Sequence, residues 1–223
     1  EAYFTRREGR RSSQIYVAHF VDGRWSSSEI APFSVERDAA PWISLDGTQM
    51  LFSSRRPARG SWDRSENIWV VDRTAEGWAT PTPVGGEVNR PRSEEGDFSA
   101  GTESGPMFLS DGSLLYWART DPDWGSDLYL AHRNGDGSFG SPKPLTLNSY
   151  GDESSPAMSP DEHHLFFQGY RDADAPGEQD LYVSTREEFG WSEPRPLPHP
   201  VNSPGNDGYP SFSPAGRYFF FAS

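Results

Sequence analysis

Four acidic residues, Asp38, Glu103, Glu153 and Asp207, each stand three positions before a proline (Pro41, Pro106, Pro156 and Pro210). Gathered together, four carboxylates could hold a metal ion, meet a basic peptide or accept hydrogen bonds from sugar hydroxyls. A pair in unequal environments could divide acid and base roles in glycoside cleavage. Trp62, Trp124 and Tyr170 lie in neighbouring polar stretches, with Arg55, Arg56, Arg59, Arg64 and Arg171. Aromatic faces beside bidentate guanidinium groups suit a sugar, or an acidic or C-terminal peptide group. The same residues also have a structural reading. A carboxylate repeated in one slot can accept backbone N–H bonds, loop tryptophans can cover a rim, and loop arginines can pair with acids such as Asp63 and Asp172.

Other chemistry is thinly represented. His163 and His164 are adjacent in a strand start and face opposite sides, while His19, His132 and His199 lack zinc-site spacing. Gly-x-Ser-x-Gly, a phosphate-cradling glycine loop and His-Glu-x-x-His are all absent. A calcium ion needs about six or more oxygen ligands. Asp152 with Glu153, and Asp121 with Asp123, are the residues that could contribute, although each also reads as an acidic loop. No other cofactor is expected.

The elements that must position these groups come from a repeat with four registers. In the first, a proline precedes a turn, as in the runs Pro41–Gly47, Pro106–Gly112, Pro156–Glu162 and Pro210–Gly216. Asp-Gly or Pro-Asp between apolar runs is tight-turn chemistry, because Gly accepts positive φ and Asp caps nearby backbone. The second is an alternating strand: Met50/Phe52, Leu115/Trp117, Leu165/Phe167 and Phe219/Phe221, with Phe4 as its N-terminal counterpart. Period-two alternation puts each pair on one face, and these pairs are expected to fill the core. The third joins a polar residue, an aliphatic and an aromatic, beginning at Gln14, Asn67, Asp127 and Asp180. The fourth is an aromatic closing strand with prolines, around Trp25, Trp78, Phe139 and Trp191. Proline there fits an edge strand, where no ladder donor is lost.

Successive second-register aromatics are 48, 65, 50 and 54 residues apart, from Phe4 through Phe52, Trp117 and Phe167 to Phe221. Four short strands per repeat of this size predict an all-β fold, a β-propeller of four-stranded antiparallel blades. With strands called a, b, c and d, the chain begins and ends at a b strand. That predicts one domain over residues 1–223, a five-bladed propeller with incomplete first and last blades; the alternative, four blades with a spare strand, leaves a raw edge. Approximate repeats are 1–37, 38–102, 103–152, 153–206 and 207–223. The long interval is assigned to a surface insertion, Asn89 to Glu103, containing Arg90, Arg92, Glu94, Glu95 and Asp97.

In such a meander the a–b and c–d turns share one end, and here they are short. The b–c loops and d–a links share the other end, where they are long and varied. Polar loops on a rigid scaffold are the usual place for recognition, and the four acids fall on that end. As residues of the innermost strand they should ring the mouth of the central channel.

Composition narrows the partners. The net charge of −13 argues against nucleic acid, whose phosphates need a basic face. The chain has no cysteine, so disulfides and thiolate metal sites are excluded. No apolar run approaches the roughly 20 residues that would cross a bilayer as a helix, so membrane insertion is not expected. The chain opens in a strand-like run, and no signal peptide is visible in it.

The combination Pro-x-x-Ser-Pro-Asp-Gly, x-x-Leu-x-Phe-x-Ser and Asp-Leu-Tyr resembles the TolB-like, WD-type propeller repeat of bacterial envelope proteins. It departs from that pattern at Leu45, Glu162 and Ala215. The resemblance implies a periplasmic or secreted, noncatalytic recognition module. Its expected partner is a peptide or glycan bound at the channel mouth by a monomer. The alternative is a glycan-active hydrolase or lyase, though acids in equivalent slots argue against a division of labour.

Overall fold

The computed structural model describes residues 1–8, 12–57, 65–89, 101–119, 125–171 and 177–223, and every element among them is a β-strand. The first sheet holds β1 (Ala2–Glu8), β2 (Ser12–Ala18) and β5 (Glu29–Ile30). A small hairpin, β3 (Phe20–Val21) with β4 (Arg24–Trp25), follows β2. The second sheet holds β6 (Asp38–Ile43), β7 (Gln49–Ser54), β8 (Asn67–Thr74) and β10 (Thr82–Pro83), with β9 (Gly77–Trp78) extending β8. The third is β11 (Thr102–Phe108), β12 (Leu114–Arg119), β13 (Asp127–Ala131) and β14 (Lys143–Pro144). The fourth is β15 (Asp152–Met158), β16 (His164–Tyr170), β17 (Asp180–Glu187) and β19 (Arg195–Pro196), with β18 (Gly190–Trp191) on β17. Last come β20 (Gly208–Phe212) and β21 (Phe219–Ala222), a two-stranded hairpin.

All pairings are antiparallel, and each sheet packs against the next in sequence, β6 on β1 and β2, β11 on β6 to β8, β15 on β11 to β13, and β20 on β15 to β17. The result is an incomplete β-propeller, as the repeat predicts. Four sheets have three or more strands, and the terminal hairpin follows them. Among the described residues no helix is long and apolar enough to cross a membrane.

The core lies between sheets. Ile15, Phe33, Met50, Phe52 and Trp69 join the first sheet to the second. Leu51, Ile68, Leu114, Tyr116 and Phe139 join the second to the third. Leu115, Leu128, Leu165, Phe167 and Tyr182 join the third to the fourth. Each fully buried large side chain here contributes about 2–3 kcal/mol by leaving water. Leu51, Leu114 and Tyr116 are buried alongside the alternating pairs, because the central sheets are covered on both faces. One-sided alternation is therefore too simple for these strands. Trp117 is half-buried, and Phe221 is 38% exposed.

Two registers take a different form from the expected one. The leading proline lies inside the innermost strand, where pairing shifts between Ala39/Trp42, Ser104/Met107, Ser154/Ala157 and Gly208/Ser211. Each shift is a β-bulge enclosing the proline, so the missing N–H falls where the ladder is already interrupted. The closing aromatics Trp78 and Trp191 belong to hairpin extensions of the third strand, and the outermost strand follows them at Thr82–Pro83 and Arg195–Pro196.

Candidate functional site

Asp38, Glu103, Glu153 and Asp207 occupy one slot, within one residue of the start of the innermost strand of four successive sheets. Each is at most 1% exposed. The chain approaching three of these strands turns back on the acid that follows it. Asp38 Oδ2 accepts the Val35 N–H at 2.9 Å, Glu153 Oε2 accepts that of Ser149 at 3.0 Å, and Asp207 Oδ2 accepts that of Ser203 at 2.6 Å. The backbone of the acid meanwhile reaches the preceding sheet. The N–H groups of Glu103, Glu153 and Asp207 donate to the carbonyls of Glu66, Ser126 and Gln179 at 2.9, 2.7 and 2.8 Å. Glu153 and Asp207 thus each close their own link and fasten two sheets.

Two of the acids also carry an arginine from the loop after the second strand. Arg56 Nη2 donates to Asp38 Oδ2, and Arg171 Nη1 donates to Glu153 Oε1 at 3.1 Å. Both guanidinium groups lie over aromatic rings, Arg56 over Phe52 (5.0 Å) and Trp69 (5.3 Å), Arg171 over Phe167 (5.8 Å) and Tyr182 (6.0 Å). Each arginine follows its second-register aromatic by four residues, a spacing the sequence displays. Ser54 Oγ adds a 2.6 Å bond to Asp38 Oδ1.

Charge is tuned unequally within the slot. Burial first, and the charge of Asp127 as well, push the Glu153 carboxyl above its ordinary value against the pull of Ser149 and Arg171. Burial acts on Asp207 in the same direction, but the Ser203 amide and the hydroxyls of Ser223 and Ser203 outweigh it and hold that carboxyl low. Asp180 is raised, by burial first and by neighbouring Asp207 as well.

The remaining candidates are dispersed. Arg55 is nearly half exposed and pairs with Glu66 at 3.6 Å. Tyr170 is 61% exposed at the end of β16, so ring and hydroxyl are open to a ligand. Asp152 accepts the Ser126 N–H (2.8 Å) and Oγ–H (3.1 Å) and faces Arg119 at 3.5 Å. With Glu153 held by Ser149 and Arg171, the two adjacent acids serve different partners. Among the described residues no three His, Cys, Asp or Glu side chains gather to hold a metal ion. Trp62, Trp124, Arg59, Arg64, Asp63, Asp121, Asp123 and Asp172, and the insertion from Arg90 to Asp97, lie outside the described residues.

Sequence reasoning passes over one repeated residue. The side-chain amide of Asn148 bonds Leu128 N–H and C=O, both at 3.0 Å, and Asn202 does the same to Leu181 at 2.9 and 3.0 Å. Asn89 holds Ile68 likewise, at 2.8 and 2.9 Å. Each asparagine stands in for one more residue of the outermost strand. The signal was a Val-Asn or Leu-Asn pair whose asparagine stands 20 or 21 residues after Ile68, Leu128 and Leu181.

Neither family models nor curated proteins match this sequence. Solved structures do. A TolB-type protein from Agrobacterium tumefaciens is 19% identical with a TM-score of 0.53, covering 88% of this chain and 57% of its own. A periplasmic gluconolactonase from Pseudomonas aeruginosa is 14% identical with a TM-score of 0.53, covering 99% and 60%. An α-L-arabinofuranosidase from Lactobacillus brevis is 12% identical with a TM-score of 0.55, covering 98% and 81%. The chain spans about three fifths of the first two. At these identities the likeness is one of fold: this is a β-propeller.

Proposed function

We propose that this incomplete, TolB-like β-propeller is a noncatalytic recognition module, periplasmic or secreted, that binds a peptide or glycan at the loop-rich rim of its channel. One observation carries the reading. The four carboxylates in the repeated slot are buried, and at Asp38, Glu153 and Asp207 they accept bonds from their own links, so they act as fasteners. A general acid or nucleophile must touch its substrate. What the rim offers to solvent is Tyr170, a stacking ring, with Arg55 as a partly exposed guanidinium. The TolB-type and periplasmic neighbours support the compartment, and the net charge of −13 disfavours a nucleic acid partner.

The competing reading is a glycan-active hydrolase. It draws on the unequal environments of Glu153 and Asp207 and on the arabinofuranosidase neighbour. Glu153→Gln and Asp207→Asn separate the two. For the binding module, both lower the melting temperature and leave retention on immobilised glycan and peptide arrays intact, whereas Tyr170→Ala removes retention without destabilising the chain. Turnover of any glycan by the wild-type chain, abolished by either carboxylate substitution at unchanged stability, overturns the proposal.

A further inference from the structure

At the other end of the strands, where the short turns lie, two grooves repeat between successive sheets. The one between the first and second sheets encloses about 290 Å³ and is lined by Glu1, Tyr3, His19, Glu29, Arg73 and Trp78. The next, between the second and third, encloses about 280 Å³ and presents Gln49, Asp72, Phe108, Arg133 and Phe139. Their residues correspond. Arg73 and Arg133 each follow the third-register aliphatic by five positions, and each lies over the closing aromatic, Trp78 at 4.5 Å and Phe139 at 5.9 Å. Glu1 and Gln49 each stand three positions before the second-register aromatic.

The first groove contains its own ligand. Arg73 Nη2 donates to the Glu1 carboxylate and to Tyr3 Oη (2.9 Å), and His19 stands 3.6 Å from the same carboxylate. In the second groove the carboxylate is replaced. Gln49 turns its Nε2 to Asp72 Oδ1 at 2.7 Å, and Asp72 occupies the position of His19. Arg133 therefore has no carboxylate partner among the described residues, its hydrogen bond being Nε to the Gly137 carbonyl at 3.4 Å. Its guanidinium rests over the rings of Phe108 (5.8 Å) and Phe139, themselves stacked 6.1 Å apart at 13°. Val70 and Pro83 complete an apolar wall.

We propose that the groove between the second and third sheets binds a small ligand that joins a carboxylate to an apolar body, with Arg133 taking the carboxylate as Arg73 takes that of Glu1. The volume suits a group the size of a single amino-acid residue, below the usual range for drug-sized ligands. A guanidinium already packed on rings loses little freedom when a carboxylate docks. The site is independent of the channel-mouth reading, because it lies on the opposite face and shares no residue with it.

The test titrates the whole chain with N-acetylphenylalanine and with its amide, followed by NMR. The acid binds saturably and the amide binds about 10-fold or more weakly, the loss expected when a charge-assisted hydrogen bond goes. Arg133→Gln weakens the acid to the level of the amide, with the melting temperature unchanged because the side chain is exposed. The double variant Gln49→Glu/Asp72→His writes the residues of the first groove into the second. It fills the groove from within, abolishing binding of the acid while raising the melting temperature. Equal affinity for acid and amide, affinity untouched by Arg133→Gln, or no saturable binding of the acid each overturns the proposal.

Discussion

Arg56 and Asp38 form an enclosed ion pair in which the guanidinium lies across Phe52 and Trp69 while its Nη2 donates to a carboxylate with no exposed surface. The pair links the loop after β7 to the start of β6. Removing one partner leaves the other charge buried without compensation, which costs about 3–5 kcal/mol. Asp38→Ala and Arg56→Ala should each lower the chemical-denaturation free energy by that much. The double variant should cost less than their sum, because the second change removes the stranded charge.

The two tuned carboxylates give opposite pH signatures. Glu153 has a folded-state value above its ordinary 4.5, so its contribution is complete below that value and lost as pH rises through the folded one. Asp207 has a folded-state value below its ordinary 3.8, so its contribution is present above that value and lost as pH falls through the folded one. Urea titrations across acidic pH should show Glu153→Gln removing a decline on the rising side. Asp207→Asn should remove one on the falling side.

Asn202 is 1% exposed and satisfies both backbone groups of Leu181. Asn202→Ala strands a buried N–H and a buried C=O, at about 1–3 kcal/mol each. Amide exchange at Leu181 should accelerate together with the fall in stability. Unchanged exchange there would show that water replaces the side chain.

The bulge of β11 needs a residue without a side chain. Gly105 has φ of 61°, and an added Cβ would meet Trp117 Cδ1 at 2.8 Å. Gly105→Ala should therefore destabilise by about 2 kcal/mol or more, as strain and overpacking add. The corresponding residues Ala40, Ser155 and Tyr209 hold φ between 50° and 55° with side chains present. The crowding by Trp117 therefore distinguishes this position.

Local pattern alone made the propeller legible. Alternation in Met50/Phe52 and Leu165/Phe167, Asp-Gly turns and a repeat of about fifty residues describe strands, hairpins and their order, because those depend on near neighbours. The succession of sheets follows from the same repetition. The acids of the slot were equally visible, at three residues before each proline.

Tertiary structure alone decided what those acids do. A carboxylate at the start of an inner strand can face the channel or fold back into its link, and both arrangements have the same sequence. The choice rests on contacts between distant segments, such as Arg56 with Asp38 or Asp207 N–H with the Gln179 carbonyl. Burial on both faces of the central strands was hidden for the same reason. Which side of a strand meets a neighbour depends on where the next sheet packs, and that is set by the wrapping of the whole chain.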